Sequence, residues 1–239
     1  MLYFFFVWFS TQIVPFLFLP FLYLIQYISG KKFVSWEIVV DMFRILMDYS
    51  IVKVGNEPLI PCGFILCNHR TWTDFAIDQY YSMSSQTGRL LAYIACPASL
   101  FSYLDKRAII INQKLSSDTT FKKILDHLNS TETYSNRISI YPEGARKDYK
   151  TLSSKNELKE HFKYGLLKRI YEHKKKPVQC FISSNKELVF NEKKLSCNRG
   201  VIIKNSASRP IYPENCLSFE EFIDKICEEW LICYKLTHS

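Results

Sequence analysis

The sequence predicts an α/β domain, with a largely parallel mixed sheet flanked by helices, preceded by an N-terminal hydrophobic helical segment that anchors it to a membrane. Three observations predict this. Short apolar runs without alternation, such as Phe64-Ile65-Leu66 and Ala108 to Ile111, read as strands buried on both faces. Stretches of helical spacing lie between them, the pattern of strand-helix-strand units. Residues 1 to 30 carry no charged side chain and are dense in Phe, Leu, Ile, Tyr and Trp, longer than a bilayer-spanning helix requires.

With 239 residues, 48% hydrophobic and 23% charged, the chain holds one well-filled domain and an appendage rather than two domains. We assign residues 1-32 to the membrane anchor and 33-239 to the domain. Within the anchor, Ser10-Thr11-Gln12 interrupts the apolar run, and Pro15 and Pro20 kink or break a helix. It therefore fits a tilted span beginning near Gln12, a hairpin dipping into one leaflet, or a flat interfacial anchor. A cleaved signal peptide fits poorly, since no basic stretch precedes the run and no small-x-small site precedes Lys31. Lys31 and Lys32 favour a cytosolic position for the domain.

From Phe33 to about Ser50, Trp36, Ile38, Val39, Met42, Phe43, Leu46 and Met47 recur at helical spacing. Ile51 to Val54 and Leu59 to Leu66 read as strands around the Gly55-Asn56-Glu57-Pro58 turn. A helix from Asp74 to about Ser84 comes next, then strands at Leu90 to Ala95 and Ala108 to Ile111. Thr119 to Leu128 is an amphipathic helix with Phe121, Ile124, Leu125 and Leu128 inward. Arg137 to Tyr141 is a strand. Lys155 to Tyr171 reads as one helix, with Leu158, Phe162, Leu166 and Leu167 as its stripe. Val178 to Ser183, Leu188 to Phe190 and Gly200 to Lys204 read as strands, and Leu217 to Leu236 as a closing amphipathic helix.

A net charge of +8 favours anionic partners: nucleic acid, an acidic membrane surface, or a phosphorylated ligand. With no basic helix and no RNA-binding aromatic signature, nucleic acid is not expected. The eight cysteines show no C-x2-C pair and no histidine at zinc spacing, so we expect reduced thiols and no metal centre. Cys67, in a strand, reads as a small buried side chain.

Chemistry concentrates in two stretches. Cys67-Asn68-His69-Arg70-Thr71-Trp72-Thr73-Asp74 directly follows an apolar strand. Five residues along a regular helix turn about 500°, leaving His69 and Asp74 about 140° apart. They meet only if the chain turns between them, with Thr71 or Thr73 capping a helix that carries Asp74 in its first turns. Without that turn, the spacing describes a surface histidine and a helix N-terminal carboxylate that do not touch. The second stretch, Ile138-Ser139-Ile140-Tyr141-Pro142-Glu143-Gly144-Ala145-Arg146, places an acid, a glycine and an arginine after a strand-ending proline. Gly144 permits positive φ or close backbone approach, and Arg146 offers a planar fork suited to phosphate.

Together these stretches resemble the lysophospholipid (1-acylglycerol-3-phosphate, or glycerolipid) O-acyltransferase family. Its signatures are Asn-His-x4-Asp and, some seventy residues on, Phe-Pro-Glu-Gly-Thr-Arg. The resemblance covers roughly residues 60-205. It implies a membrane-associated enzyme that moves a fatty acyl group from acyl-CoA to the free hydroxyl of a lysophospholipid acceptor, with no metal or redox cofactor. His69 would be the general base and Asp74 its orienting partner. Glu143, Gly144 and Arg146 would bind the acceptor's polar head, and Asn68 would support the site.

The family's third motif, glycine-x-x-phenylalanine-isoleucine-x-arginine, falls on Arg107 to Gln113, with Arg107 in the glycine position and Gln113 in the arginine position. Lys114 offers a substitute point charge but leaves the strand on the opposite face. Ala145 stands where the family has threonine. The same His and Asp would also serve a CoA-independent transacylase, and the departures at Gln113 and Ala145 fit an inactive membrane-anchored lipid-binding protein.

Overall fold

The computed structural model describes residues 2-7, 24, 28-29, 36-71, 73-82, 85-90, 108-112, 117-129, 136-146, 152 and 154-239. Its strands are β1 (Tyr49–Lys53), β2 (Gly63–Cys67), β3 (Ser85–Leu90), β4 (Ala108–Asn112), β5 (Arg137–Ile140), β6 (Val178–Ser183), β7 (Phe190–Asn191), β8 (Ser196–Cys197) and β9 (Val201–Ala207). Its helices are α1 (Trp36–Met47), α2 (Asp74–Ser82), α3 (Ser117–Asn129), α4 (Lys155–His161), α5 (Tyr164–His173), α6 (Lys186–Val189) and α7 (Phe219–His238).

Among the described residues, seven strands form one sheet in the order β1-β9-β6-β2-β5-β3-β4. Strands β2 to β6 run parallel to one another. Strand β9 pairs antiparallel with β6 and parallel with β1, so the sheet is mixed at one edge. The chain lays β3, β4 and β5 on one side of β2, then crosses to set β6 on the other. Reversals of this kind open a crevice at the carboxyl ends of the strands.

The unalternating apolar run of β2 reflects cover on both faces. Phe64 and Leu66 join one core with Ile138, Ile140, Val178, Ile182 and the α7 residues Phe222, Ile226 and Trp230. Ile65 and Cys67 point the other way, to Ile60, Phe181 and Ala207. Helix α7 starts where its sequence caps it, Ser218 Oγ accepting from the Glu221 N–H at 3.1 Å while the Glu221 carboxylate accepts from the Leu217 N–H at 2.7 Å.

Three expectations are changed. Of the strand expected at Leu90 to Ala95 only Leu90 is among the described residues, and it ends a strand that was not expected, Ser85–Leu90, after a helix described as far as Ser82; residues 91-95 lie outside the described residues. This strand reads Ser-Gln-Thr-Gly-Arg-Leu and shows no apolar run, because its parallel pairing with β4 and β5, rather than its side chains, makes it a strand. The helix expected over Lys155 to Tyr171 is two helices. Phe162 takes an extended conformation, and the Lys163 N–H donates to the Pro142 carbonyl at 2.7 Å, tying the break to the turn after β5. The apolar periodicity continues across the break because both halves pack on the same core.

The strand expected at Leu188 to Phe190 is the short helix α6 followed by two residues of hairpin. Asn185, with φ 57°, turns the chain, and its carbonyl accepts from the N–H groups of Leu188 and Val189. Residues 2-7 of the expected anchor are helical and pack on the domain: Val7 and Phe4 are buried, Phe4 stacks on Phe190 at 4.7 Å, and the Tyr3 hydroxyl donates to the Leu46 carbonyl at 2.6 Å. Most of the remaining anchor lies outside the described residues, among which no helix is long and apolar enough to cross a membrane. The seven described cysteines are free, and Cys67 is buried; Cys96 lies outside the described residues.

Gly63 opens β2 at φ 134°, where an added Cβ would meet the Pro177 carbonyl at 2.3 Å. The strand cannot simply move away, since the Phe64 N–H donates to that same carbonyl at 3.0 Å. Gly63→Ala is therefore expected to lower the unfolding free energy by at least about 1–3 kcal/mol, the usual cost of such a backbone conformation. Urea denaturation checks this, and an unchanged midpoint contradicts it.

Candidate active site

Three neighbouring parallel strands deliver the site. The end of β2 carries Asn68, His69 and Arg70, the end of β5 carries Tyr141 to Arg146, and the end of β6 carries Ser183 to Lys186. The expected turn between His69 and Asp74 forms. Thr73 precedes α2, its carbonyl accepting from the N–H groups of Ala76 and Ile77, and Asp74 is the first helical residue. Thr71 Oγ1 accepts from the Thr73 N–H at 3.1 Å, which closes the loop.

The loop folds around the Asp74 carboxylate. Asp74 Oδ2 lies 2.9 Å from His69 Nδ1 and accepts from the Arg70 N–H. The Thr71 N–H and hydroxyl reach Oδ1 at 3.1 and 3.2 Å. Burial pushes this carboxyl up, but the Lys186 ammonium, the His69 ring and the Arg70 N–H outweigh burial and hold it below the ordinary range. Because Asp74 is an anion and only accepts, His69 Nδ1 must be the donor. The neutral ring is then a base through Nε2. The His69 side chain is 22% exposed and that of Asp74 1%, so the imidazole is reachable while its partner is sealed.

Asn68 and Glu143 are both fully buried and act on the backbone. The Asn68 side chain donates to the Ser183 carbonyl at 2.9 Å and accepts from its N–H at 3.0 Å, clasping β2 to β6. The Glu143 carboxylate accepts from the His69 N–H, clasping β2 to β5. The turn that places Glu143 closes through the Gly144 N–H to the Tyr141 carbonyl at 3.0 Å, with Gly144 at φ 65° and exposed. Arg146 is exposed and ion-paired with Glu192, beside the β7–β8 hairpin. The structure thus gathers Asn68, His69, Asp74 and Glu143, directs Arg146 to Glu192, and leaves Lys114 outside the described residues.

A second, deeper set of residues is not evident from the sequence. Lys186 is fully buried; its Nζ donates to the Asn68 carbonyl at 2.6 Å and Asp78 Oδ2 at 2.8 Å, and lies 4.0 Å from Asp74 Oδ1. Asp78, also fully buried, accepts from Ser183 Oγ at 2.8 Å and the Tyr141 hydroxyl at 3.1 Å. The Tyr141 ring stands 4.7 Å from the His69 ring. Asp78 lies one helical turn beyond Asp74, which puts both acids on one face, and that spacing was the available signal. Nothing in the Ser184-Asn185-Lys186 run marks its lysine as interior.

Burial pushes Asp78 up to about 6; Lys186 pulls against this and Asp74 adds to it. Lys186 is held above its ordinary range, because Asp74 and Asp78 outweigh the burial that would lower it. Burial and Asp78 likewise hold the Tyr141 phenol up, so it remains a donor. Among the described residues no cluster of three His, Cys, Asp or Glu side chains fits a metal ion. A separate surface cleft of about 370 Å³, lined in part by Arg209, Tyr212 and Lys225, contains none of the site residues.

No protein-family model matches the chain, and no curated protein sequence matches it. Among solved structures, the fold is similar to that of the 1-acyl-sn-glycerophosphate (LPA) acyltransferase PlsC from Thermotoga maritima. The TM-score is 0.68 at 12% identity, over 100% of this chain and 96% of that one. At that identity the likeness establishes a shared fold.

The two carboxylates tie stability to pH in opposite senses. Asp74, held low, contributes stability above its unfolded value of 3.8 that is lost as pH falls through its lower native value. Asp78, held high, keeps the native state more protonated than the unfolded chain between 3.8 and about 6, so its contribution to stability declines as pH rises across that window. Asp78→Asn removes the decline. The variant's unfolding free energy relative to the parent protein should rise from below to above that window in urea titrations; a constant or falling difference contradicts the assignment.

Proposed function

We propose that the chain is a membrane-associated glycerolipid O-acyltransferase that moves a fatty acyl group from acyl-CoA to the free hydroxyl of a lysophospholipid such as 1-acylglycerol-3-phosphate. The observation that carries this reading is the 2.9 Å contact between His69 Nδ1 and a buried, ionised Asp74, at the carboxyl end of β2. The full-length fold similarity to a 1-acyl-sn-glycerophosphate acyltransferase supports it.

His69 Nε2 takes the proton of the acceptor hydroxyl as its oxygen attacks the thioester carbonyl. Asp74 stabilises the imidazolium that forms and keeps the ring oriented through Nδ1. The tetrahedral intermediate collapses by breaking its C–S bond, and the imidazolium returns the proton to the leaving thiolate of coenzyme A. The alcohol is itself the nucleophile, so transfer is direct and needs no acyl-enzyme. Exposed Arg146, once it exchanges Glu192 for the substrate, supplies a fork for the acceptor phosphate, and Gly144 lets backbone approach the head group. Glu143 acts on the other side of the turn, fixing the His69 backbone.

Both substrates carry long acyl chains, and confinement to a bilayer reduces their search to a surface. We assign residues 1-32 as the segment that keeps the protein there, with the catalytic domain in the cytosol.

The test is thiol release from long-chain acyl-CoA by vesicle-reconstituted full-length protein, across a panel of lysophospholipids. Acceptor-dependent release is expected, with His69→Ala and Asp74→Asn each lowering kcat by about 10²–10⁴. Acceptor-dependent release that persists unchanged in folded His69→Ala contradicts the base assignment. Acyl exchange between phospholipids without CoA points to the transacylase, and silence with every donor contradicts the enzyme reading.

A further inference from the structure

Lys186 is a lysine with no exposed surface, placed behind the proposed base rather than at a substrate surface. It is built in from several elements. Helix α2 presents Asp74 and Asp78 to it, the end of β2 presents the Asn68 carbonyl and the Cys67 thiol, β6 presents Ser183 through Asp78, and the turn after β5 presents the Tyr141 ring at 5.9 Å. Burial holds the Cys67 thiol and the Tyr141 phenol well above their ordinary ranges, so both remain neutral. The charges in the interior are therefore one ammonium and two carboxylates, with the His69 ring at the outer end.

We propose that Lys186, held in place by Asp78, is a positioning residue for the His69–Asp74 pair. This rests on the reading of His69 as the base. Two geometric facts carry it. The ammonium's hydrogen bond to the Asn68 carbonyl fixes the residue preceding His69, whose side chain already clasps β6. Its approach to Asp74 Oδ1 engages the oxygen that does not face the imidazole, leaving Oδ2 for Nδ1. Asp78 completes the arrangement, since it binds Lys186 directly while also holding Ser183 and the Tyr141 hydroxyl.

A lysine serving only to fill the interior would matter for folding and nothing else. A positioning lysine makes a further demand, because its positive charge is felt by Asp74 and, through Asp74, by His69. Taking Lys186 away from beside two acids leaves buried charge uncompensated, so Lys186→Met alone is expected to unfold much of the protein. The informative comparison begins from Asp78→Asn. In that background replacing the lysine leaves one buried carboxylate rather than two, and that one, Asp74, keeps the Arg70 and Thr71 N–H groups.

The experiment compares full-length Asp78→Asn with Asp78→Asn/Lys186→Met, and with Asp78→Asn/Lys186→Gln, which keeps a donor for the Asn68 carbonyl but no charge. Folded fraction is fixed by urea titration. Asp74 is followed by the carboxyl carbon resonance against pH, and transfer by the pH profile of kcat/KM. Removing the ammonium should raise the Asp74 titration midpoint by about 1–3 pH units, the usual effect of an opposite charge at this range.

The same change leaves Asp74 less neutralised, so it binds the imidazolium more strongly and moves the acid limb of kcat/KM to higher pH. We expect kcat to fall roughly ten- to a hundredfold, with KM for acyl-CoA within about twofold. Methionine and glutamine should share the pH effects, and glutamine should recover part of kcat through its hydrogen bond. Coincident Asp74 titrations and acid limbs in all three proteins, with activity tracking folded fraction alone, overturn the proposal. If the parent protein transfers no acyl group, the proposed acyltransferase function fails, and the Asp74 titration still decides the role of Lys186.

Discussion

Everything at this site depends on keeping one carboxylate charged where there is no water. Asp74 is sealed from solvent, a situation that ordinarily neutralises an acid. Here it is offset by backbone N–H groups from Arg70 and Thr71, the Thr71 hydroxyl, the His69 ring and the nearby Lys186 ammonium. Each partner is also a constraint on geometry. The two N–H groups can reach the carboxylate only if the chain turns sharply between β2 and α2, and that turn aims His69 outward from the end of the strand. An ionised Asp74 in turn dictates which imidazole nitrogen bears the proton, leaving the other free for chemistry.

The same region holds the sheet together. Asn68 clasps β2 to β6, and Glu143 clasps β2 to β5, each through the backbone beside or within the motif. The strand register and the position of His69 are therefore set by the same contacts. Cover on the two faces of β2 is supplied by apolar packing, whereas the clasps require specific polar atoms at specific ends of strands.

The legibility of each residue in the sequence depends on what that residue does. His69 and Asp74 were legible only with the second motif beside them, because their spacing alone also describes a surface histidine and a helix carboxylate that do not touch; the apolar run before them announces the strand, and the resemblance carried by both stretches favours the turn. Glu143 was legible as a site residue, but its direction was not, since pattern alone does not tell a carboxylate facing substrate from one facing a neighbouring backbone. Asp78 was half legible, one helical turn beyond Asp74. Lys186 was not legible at all: the Asn185 turn that carries it inward is a tertiary event, and a lysine between polar residues otherwise reads as surface. The sheet's polar strand, Ser85–Leu90, was missed for a related reason, because its place between β5 and β4 depends on hydrogen bonds that leave no trace in apolar periodicity.

The central claim is that a buried, ionised Asp74 holds the proton on His69 Nδ1 and frees Nε2 as the base. The most direct measurement is the ¹⁵N spectrum of His69 in the folded, neutral-ring protein, assigned by its loss in His69→Ala. A protonated Nδ1 and an unprotonated Nε2 are expected, with the Nδ1 signal perturbed in Asp74→Asn. A ring protonated at Nε2, or one exchanging freely between both forms and indifferent to Asp74→Asn, would contradict it.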